Sequence, residues 1–376
     1  MKIHLLDYLV CPECKGSLRC HPQEGREGEV ETGALHCTGC AAEFPIVRGI
    51  PRFVRGALSA DKARTADAFG WEWQEFSELH DSWETYEQQF LDWIAPLTPD
   101  FFREKVVLDA GCGMGRFSAA AVRFGAREVI AIDLSDAVES ARRTTAALPN
   151  VHVVQADIYH LPFARPFDFA FSIGVLHHLP DPEGGFQALV RHLKDGGSIF
   201  GWVYGRENNG WLVYVGNPLR ERVFSRLPRP ILYGLSFLVT AGLHPLLKLL
   251  YRPADGGPVR PLASRLPYRG YLTWLAQFGF RHNHHVVFDH MVAPTAFYLR
   301  REEFAAWFQR AGLEDVQLSW RNQNSWRGLG RRPAGVATAQ PAISSAPAQP
   351  ATSSGRAGGT ARGEAGVAAH GEPVEP

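Results

Sequence analysis

An apolar segment followed by closely spaced glycines is the feature that most constrains the fold of this chain. In VVLDAGCGMGRF, residues 106–117, Gly111, Gly113 and Gly115 alternate directly after a run of apolar residues. Such glycines let the backbone turn tightly and approach a ligand closely. The GxGxG spacing differs from the GxGxxG fingerprint of dinucleotide sites, and Asp109, just upstream, would repel a pyrophosphate. The stretch therefore predicts a ligand-binding turn for something other than a dinucleotide.

Alternating predicted strands and helices extend over residues 104–204 and resume at residues 301–332. EVIAIDL, VHVVQAD and FDFAFSIG have the length and composition of buried strands, and DAVESARRTTAAL has that of a helix. Nearly continuous apolar strands separated by helices are typical of a parallel, doubly wound sheet. We therefore predict an α/β fold with a Rossmann-like sheet.

Acidic residues end the predicted strands that follow the glycine turn. Asp133 lies at the end of EVIAIDL, and Asp157 ends VVQAD. A carboxylate at the second strand end can accept hydrogen bonds from both ribose hydroxyls, and one at the third can accept from an adenine amine while Ile158 packs on the ring. Asp109 would suit an ammonium group near a sulfonium. A ribose, an adenine and an amino-acid ammonium together describe S-adenosylmethionine.

Residues 104–204 and 300–330 resemble the class I S-adenosylmethionine-dependent methyltransferases. LDAGCGMGRF is similar to the first motif of that family, AIDLS to the second, QADIYHLPF to the third and FDFAFSIGVLHHLPDP to the fourth. The resemblance implies a seven-stranded sheet whose last strand is antiparallel, with the cofactor at the carboxyl ends of the first strands. The cofactor-binding residues that it implies are Asp109, Gly111, Gly113, Gly115, Asp133, Leu134, Asp157, Ile158 and Ser172.

Two CxxC pairs lie in residues 1–56. Cys11 and Cys14 form the first pair, and Cys37 and Cys40 form the second. Four thiolates on two tight turns can enclose a tetrahedral Zn²⁺ ion, and an ion with four protein ligands is structural because it has no open position. LLDYLVCPECKGSL and LHCTGCAAEFPIVRGIPRFV resemble the zinc-ribbon family that includes the activator subunit of tRNA and protein methyltransferases. A ribbon without metal and a redox-active cysteine pair are the alternatives.

Two histidines, His177 and His178, follow the fourth predicted strand in SIGVLHH. By resemblance, this loop lies beside the transferable methyl group, and either imidazole could accept a proton from a hydroxyl or an acidic carbon. The alternative is that one of them caps or packs the following helix. Asp289 and His290 are further candidates for contact with the acceptor. We expect HNHH, residues 282–285, to lie in a surface loop or strand without a metal.

Residues 205–300 interrupt the alternation and are predicted to form a helical insertion. They contain twelve Arg or Lys residues against four Asp or Glu. Within them, residues 231–251 are apolar over a length that could span a membrane, although Pro245 and Lys248 interrupt the run. We expect this segment to cap the active site. Attachment to an anionic membrane surface and a true span are the alternatives.

Composition sets the remaining boundaries. Residues 57–103 are rich in aromatic residues and are predicted to form a helical lead-in or lid. Residues 333–376 contain neither an aromatic residue nor a leucine, so they cannot bury enough apolar surface to fold and are predicted to be disordered. The chain shows no secretory signal and has 39 basic and 39 acidic residues. We expect a cytoplasmic protein, peripheral to the membrane if the insertion binds lipid.

The sequence predicts a methyltransferase for a small hydrophobic acceptor such as a quinone, a polyketide or a lipid-linked intermediate. An RNA methyltransferase is one alternative, because a cysteine ribbon also precedes the catalytic domain of a ribosomal-RNA guanine methyltransferase family. Residues 1–56 hold seven basic and seven acidic residues, which does not favour a nucleic acid as partner. A non-catalytic adaptor that docks a partner through its ribbon is the other alternative, and the complete set of cofactor acids argues against it.

Overall fold

The computed structural model describes residues 1–77, 82–251 and 268–335. Residues 333–376 were predicted to be disordered, and beyond residue 335 this segment lies outside the described residues.

The N-terminal segment forms a small antiparallel sheet. A 3-10 turn over Ile3–Asp7 precedes four strands that are neighbours in chain order, namely β1 (Leu18–Arg26), β2 (Glu29–Cys37), β3 (Glu43–Val47) and β4 (Ile50–Pro51). In β3, exposed and buried residues alternate, as strand geometry requires, and Phe44 and Ile46 face inward. The apolar core of this sheet is small, which is typical of domains that depend on a metal for stability.

A seven-stranded sheet forms the centre of the molecule. Its strands are β5 (Val106–Ala110), β6 (Glu128–Asp133), β7 (Val151–Gln155), β8 (Phe167–Ile173), β9 (Leu193–Tyr204), β10 (Glu314–Arg321) and β11 (Ser325–Arg331). Their order is β10-β11-β9-β8-β5-β6-β7. The strands from β9 to β7 are parallel, whereas β11 is antiparallel to both of its neighbours. The predicted seven strands, with an antiparallel last strand, are confirmed.

Helices cover both faces of this sheet. On one face lie α2 (Trp83–Ile94), α3 (Arg116–Arg123) and α4 (Ala137–Thr144). On the other lie α5 (Pro182–Val190) and α10 (Arg301–Arg310), whose Phe304, Trp307 and Phe308 are buried as the helical spacing predicts. Successive residues of β5 contribute to opposite faces, because side chains alternate along a strand: Val107 to the first and Leu108 to the second.

The small sheet packs against the edge of the large one. Arg52 forms a parallel bridge with Gln155 of β7, and the amide of Phe53 donates to the Gln155 carbonyl at 2.8 Å. Leu9 forms a second bridge, with Phe163. Phe44 of the small sheet belongs to the same buried cluster as the face of the large sheet that α5 covers. The two sheets therefore share one core.

The remaining helices lie above the carboxyl ends of the strands. They are α1 (Ala60–Glu75), α6 (Asn217–Arg222), α7 (Arg229–Leu246), α8 (Arg269–Leu275) and α9 (Phe280–Val292). A π-helical turn, Leu247–Tyr251, continues α7, which packs along α9. The expectation of a surface loop or strand at 282–285 is wrong, because these residues lie in α9 and three of them are buried.

Candidate active site

The glycine turn lies where β5 has β6 on one side and β8 on the other, the position at which open α/β sheets bind ligands. Gly111, Gly113 and Gly115 have φ angles of 85°, 52° and 80°, in the region that favours glycine. A Cβ on Gly111 would lie 2.2 Å from the Val175 side chain, and one on Gly113 would lie 2.8 Å from the Trp73 ring. Both backbone conformation and close packing therefore require glycine here.

Asp133, at the end of β6, is fixed beside this turn. Its Oδ2 accepts a hydrogen bond from the Gly113 amide at 3.0 Å, and its Oδ1 accepts from the amide and hydroxyl of Ser135 at 2.9 and 2.7 Å. Burial raises the pKa of Asp133, and these hydrogen bonds oppose that shift. Asp133 and Leu134 both line a large cavity above the sheet. An oriented carboxylate at this place fits a ligand that carries a ribose.

Asp157, at the end of the next strand, meets a cation from α1. Its carboxylate forms an ion pair with Lys62 and accepts a hydrogen bond from the Tyr159 amide at 3.0 Å. The Lys62 ammonium also lies 4.3 Å from the centre of the Tyr159 ring. Asp157 and Ile158 line the cavity, as does Lys62. Helix α1 thus closes over the strand ends on this side.

Four of the predicted cofactor residues do not line the cavity: Asp109, Gly113, Gly115 and Ser172. Asp109 is 3% exposed and accepts a hydrogen bond from the Ser118 hydroxyl at 2.6 Å. Burial raises its pKa to about 7. The Ser172 hydroxyl donates to the Ala110 carbonyl at 2.9 Å. These contacts place both side chains behind the turn, where they hold β5 and α3 in position.

The cavity extends from the strand ends into a chamber with aromatic walls. It encloses about 1590 Å³, including solvent at its mouth. The aromatic residues of the chamber come from α2, β9, α8 and the segment before α10: Trp93, Trp202, Tyr204, Tyr271, Trp274 and Tyr298. From the insertion, α8 and α9 supply lining residues, whereas residues 231–251 supply none. The insertion therefore lines the cavity mainly through α8 and α9, and residues 231–251, which were predicted to cap the site, contribute no lining residue.

The two histidines of the Leu176–His178 turn differ in position. His178 lines the cavity, and its Nδ1 donates to the Thr295 carbonyl at 2.6 Å, because a carbonyl can only accept. Burial lowers the pKa of His178 to about 3. His177 does not line the cavity; it packs on the Tyr204 ring, and its nitrogens have no hydrogen-bond partner within the described ranges. Burial lowers its pKa as well. Both rings are therefore neutral near pH 7.

A second polar cluster lies where α1 meets α9. Asp289 lines the cavity, and burial, followed by the charge of Glu72, raises its pKa to about 7. His285 also lines the cavity, with its Nε2 2.8 Å from Oε1 of the fully buried Glu72. His290, beside them, lies 2.9 Å from the Tyr271 hydroxyl, and burial lowers its pKa to about 4. A carboxyl group whose pKa lies near 7 is suited to accept a proton at neutral pH.

The four cysteines of the CxxC pairs converge in the small sheet. Cys11 Sγ lies 3.7 Å from Cys40 Sγ, and Cys14 Sγ lies 3.4 Å from Cys37 Sγ. All four sulfurs lie within 4.8 Å of one another. Ligand sulfurs of a tetrahedral zinc with bonds of about 2.3 Å are about 3.8 Å apart, so the cluster fits this ion. The Gly16 and Gly39 amides donate to Cys14 and Cys37, which suits thiolate ligands.

Comparison with known proteins identifies the family. Residues 108–201 match the model of a methyltransferase domain, and residues 2–49 match that of Trm112p-like proteins. The chain is 31% identical over 180 residues to the ubiquinone biosynthesis O-methyltransferase of Paracidovorax citrulli, covering 44% of this chain and 74% of that protein. It is 30% identical over 222 residues to the protein of the same name from Ralstonia nicotianae, covering 51% and 89%. The chain belongs to the S-adenosylmethionine-dependent methyltransferases.

The chain is also similar to a solved structure. Magnesium protoporphyrin IX methyltransferase from Synechocystis is 14% identical to this methyltransferase, with a TM-score of 0.42 over 72% of this chain and 99% of that one. The methyl donor of the present chain is S-adenosylmethionine. The N-terminal ribbon of this chain carries a structural zinc ion.

Several residues of this methyltransferase site had no signal in the sequence. Lys62 and Glu72 lie in α1, whereas their partners Asp157 and His285 follow 95 and 213 residues later. Helix packing alone brings these pairs together. The HNHH run was noticed in the sequence, but its polar composition suggested a surface segment. The structure shows that it lies in α9 and is largely buried.

Proposed function

We propose that this methyltransferase methylates a hydroxyl oxygen of an aromatic, quinol-type small molecule. The observation that carries this proposal is the pairing of a chamber with aromatic walls and a cavity carboxyl group, Asp289, whose pKa is about 7. Flat aromatic acceptors bind well between aromatic side chains. The names of the two relatives described above support the same acceptor class.

The cofactor end of the cavity is assigned to the strand ends. Asp133 holds the ribose, Ile158 packs on the adenine, and Asp157 with Lys62 borders the adenine edge. Gly111 leaves room for the ligand, while Asp109, Gly113, Gly115 and Ser172 keep the turn in shape. When bound, S-adenosylmethionine supplies a methyl group on a positive sulfonium.

Asp289 takes the proton from the acceptor hydroxyl. The oxygen then forms a bond to the methyl carbon, and the electron pair of the broken carbon–sulfur bond stays on sulfur, which loses its positive charge. A carboxylate with a pKa near 7 accepts a proton from a phenol, with a pKa of about 10, more readily than an ordinary aspartate does. His178, with a pKa of about 3, is a weak base, so we assign it no proton transfer. Its Nδ1 donates to the Thr295 carbonyl, and its Nε2 accepts a hydrogen bond from the acceptor. His177, which packs on Tyr204 outside the cavity, has a structural role.

Cys11, Cys14, Cys37 and Cys40 hold the structural zinc. The ion takes no part in the chemistry, because four thiolates leave no position for a substrate.

Helix α7 attaches the enzyme to the surface of an anionic membrane. Together with the π-helical turn that continues it, α7 forms Arg229–Tyr251, the one helix in the described part of the chain that is long and apolar enough to span a membrane, by length and composition. Of an 18-residue apolar stretch within it, 22% is buried. Leu238 and Leu249 are 68% and 72% exposed. Such apolar exposure is costly in water unless something covers it. Arg222 and Arg226, exposed just before α7, would face acidic headgroups.

Incubation of the purified enzyme with labelled methyl donor and a panel of acceptors tests the proposed function. The panel contains alkyl-substituted catechols and quinols, their O-methylated forms, aliphatic alcohols and transfer RNA. Label on a catechol or quinol hydroxyl, blocked by prior O-methylation, is the expected result. Label on RNA alone, or on the O-methylated controls, would overturn the proposal.

A further inference from the structure

Two histidines and a glutamate converge on the side of the molecule away from the cavity. His4 lies in the first turn of the chain, Glu128 begins β6 and His152 lies in β7. The three ligand atoms, Nε2, a carboxylate oxygen and Nε2, lie within 4.8 Å of one another. None of these residues lines the active-site cavity or belongs to the cysteine cluster. They do not contribute to the function proposed above.

Hydrogen bonding alone does not account for these contacts. His152 Nε2 lies 2.7 Å from Glu128 Oε2 and 3.2 Å from His4 Nε2. A ring nitrogen has one in-plane position, which holds either a proton or a lone pair. If His152 donates to Glu128, His4 meets a nitrogen without a free lone pair. If His152 accepts from His4, its lone pair faces a carboxylate oxygen. One of the two contacts therefore lacks a full hydrogen bond.

A divalent cation at the centre satisfies all three groups at once, because each then points a lone pair at the ion. Ligand atoms of a tetrahedral site with bonds of 2.0–2.1 Å are about 3.3 Å apart. The three distances here are 2.7, 3.2 and 3.8 Å, with the last joining His4 Nε2 and Glu128 Oε1. The contact between His152 and Glu128 would have to lengthen by about half an ångström through a shift of the Glu128 carboxylate, and the half-exposed His4 side chain is free to adjust its own two distances.

We propose that His4, Glu128 and His152 form a second metal site that fastens the N-terminal ribbon to the central sheet. Imidazole and carboxylate ligands suit a borderline divalent ion such as Zn²⁺, Co²⁺ or Ni²⁺. The fourth position faces solvent beside His4 and takes water. The nearby Lys2 ammonium is directed to the Leu148 and Val151 carbonyls at 2.8 and 2.9 Å, so its charge is held by other partners.

Titration of the full-length, zinc-loaded protein with Co²⁺ tests this site. We expect wild type to bind one further equivalent, with the visible absorption of tetrahedral nitrogen and oxygen ligation and without the near-ultraviolet charge transfer of thiolate ligands. His4→Ala, a change at a half-exposed side chain, should weaken this binding at least about 10–100-fold, since even outer-shell losses cost that much. Glu128→Gln should weaken it similarly.

His36→Ala is the matched control, because His36 is a ribbon histidine of similar exposure, at 45% against 50%. This variant should retain the second equivalent. Saturating Co²⁺ should also raise the melting temperature of wild type and of His36→Ala but not that of His4→Ala. Binding of no second equivalent, or retention of full affinity in both His4→Ala and Glu128→Gln, would overturn the proposal.

Discussion

Nε2 of His285 lies 2.8 Å from Oε1 of Glu72, a carboxyl group with no solvent exposure. The contact joins α1, from the lead-in, to α9, from the insertion, and both helices supply residues that line the cavity. Burial raises the pKa of Glu72 well above its usual value. Two segments that are distant in sequence thus close the cavity together, and the acid between them is costly to expose or to leave unpaired.

Removing this link should loosen the cap. Glu72→Ala should lower the free energy of unfolding by about 1 kcal/mol, the net contribution of a lost hydrogen bond. Amide exchange in α9 should increase as well. Hydrogen exchange and denaturant unfolding measure both effects. Glu75→Ala, an exposed position on the same helix, is the control and should change neither. Equal exchange in the two variants would show that the contact does not hold α9.

Asp289 should govern the pH dependence of catalysis. Because the pKa of Asp289 is about 7, the rate of methyl transfer should rise with pH through 7 as the base ionises. Asp289→Asn should lower kcat by about 10²–10⁴-fold and abolish the rise of the rate with pH, with little effect on donor affinity. Steady-state kinetics from pH 5.5 to 9 measures this. His178→Gln should retain the rise of the rate with pH. If this rise is lost in His178→Gln and retained in Asp289→Asn, His178 and not Asp289 is the base.

The same residue makes stability depend on pH. The pKa of Asp289 is raised in the folded state, from 3.8 to about 7, so between these values the unfolded chain has lost a proton that the folded protein retains. Its contribution to stability is therefore present below pH 3.8 and is lost as pH rises towards 7. Asp289→Asn, which cannot ionise, should raise the melting temperature at pH 8 and leave it nearly unchanged at pH 4.

Asp133 should contribute strongly to donor binding. Asp133→Ala should weaken the affinity for S-adenosylmethionine by about 2 kcal/mol, or roughly 30-fold, the scale of hydrogen bonds to a charged acceptor. Calorimetric titration of the donor measures this. Asp136→Ala is the control, because Asp136 lies three residues away with its side chain 63% exposed. Equal affinities in wild type and Asp133→Ala would contradict the assignment of Asp133 as the residue that binds the ribose.

The cysteine cluster gives a direct metal prediction. Cys37→Ser should lose the structural zinc and lower the melting temperature, since zinc binding supplies folding free energy to small domains. Cys20→Ser is the matched control: Cys20 lies in the same sheet, outside the cluster, and its replacement should leave the zinc content as in wild type. Elemental analysis and thermal melting give both results. Full zinc content in Cys37→Ser would contradict the assignment.

Vesicle sedimentation separates membrane attachment from other roles of α7. Wild type should pellet with anionic vesicles at low salt and less at high salt, because headgroup attraction is screened. Leu238→Glu should reduce pelleting, since it places a charge on the exposed apolar face. Val316→Glu, at an exposed apolar side chain of β10, should pellet as wild type does. Wild type that stays in the supernatant in every condition would exclude this role.

The central sheet could be predicted from sequence because its signals are local. Each buried strand is a short apolar run, and the glycine turn needs φ angles that glycine readily adopts, so VVLDAGCGMGRF specifies strand, turn and helix without other segments. The cavity wall could not be predicted in this way. Lys62 and Glu72 acquire their partners only when α1 packs across the strand ends, and no spacing within α1 shows which face does so.

The surroundings of polar residues were harder to predict. Asp109 was expected to face a cationic ligand, and the sequence did not show that its carboxylate accepts a hydrogen bond from the Ser118 hydroxyl or that burial raises its pKa. The strand pattern gives the period of the side chains but not which face meets the ligand. In α9, histidines at 282–285 were taken for a polar surface, whereas an amphipathic imidazole can pack on aromatic rings, as His282 does against Phe278.

The bridge between Arg52 and Gln155 has a consequence for the exposed edge of the central sheet. A terminal strand such as β7 presents unpaired amides and carbonyls that invite pairing with other chains. Here the ribbon occupies the end of that edge from within the same polypeptide, where the Phe53 amide donates to the Gln155 carbonyl. Another chain that paired with β7 in register would therefore have to displace the ribbon at Gln155.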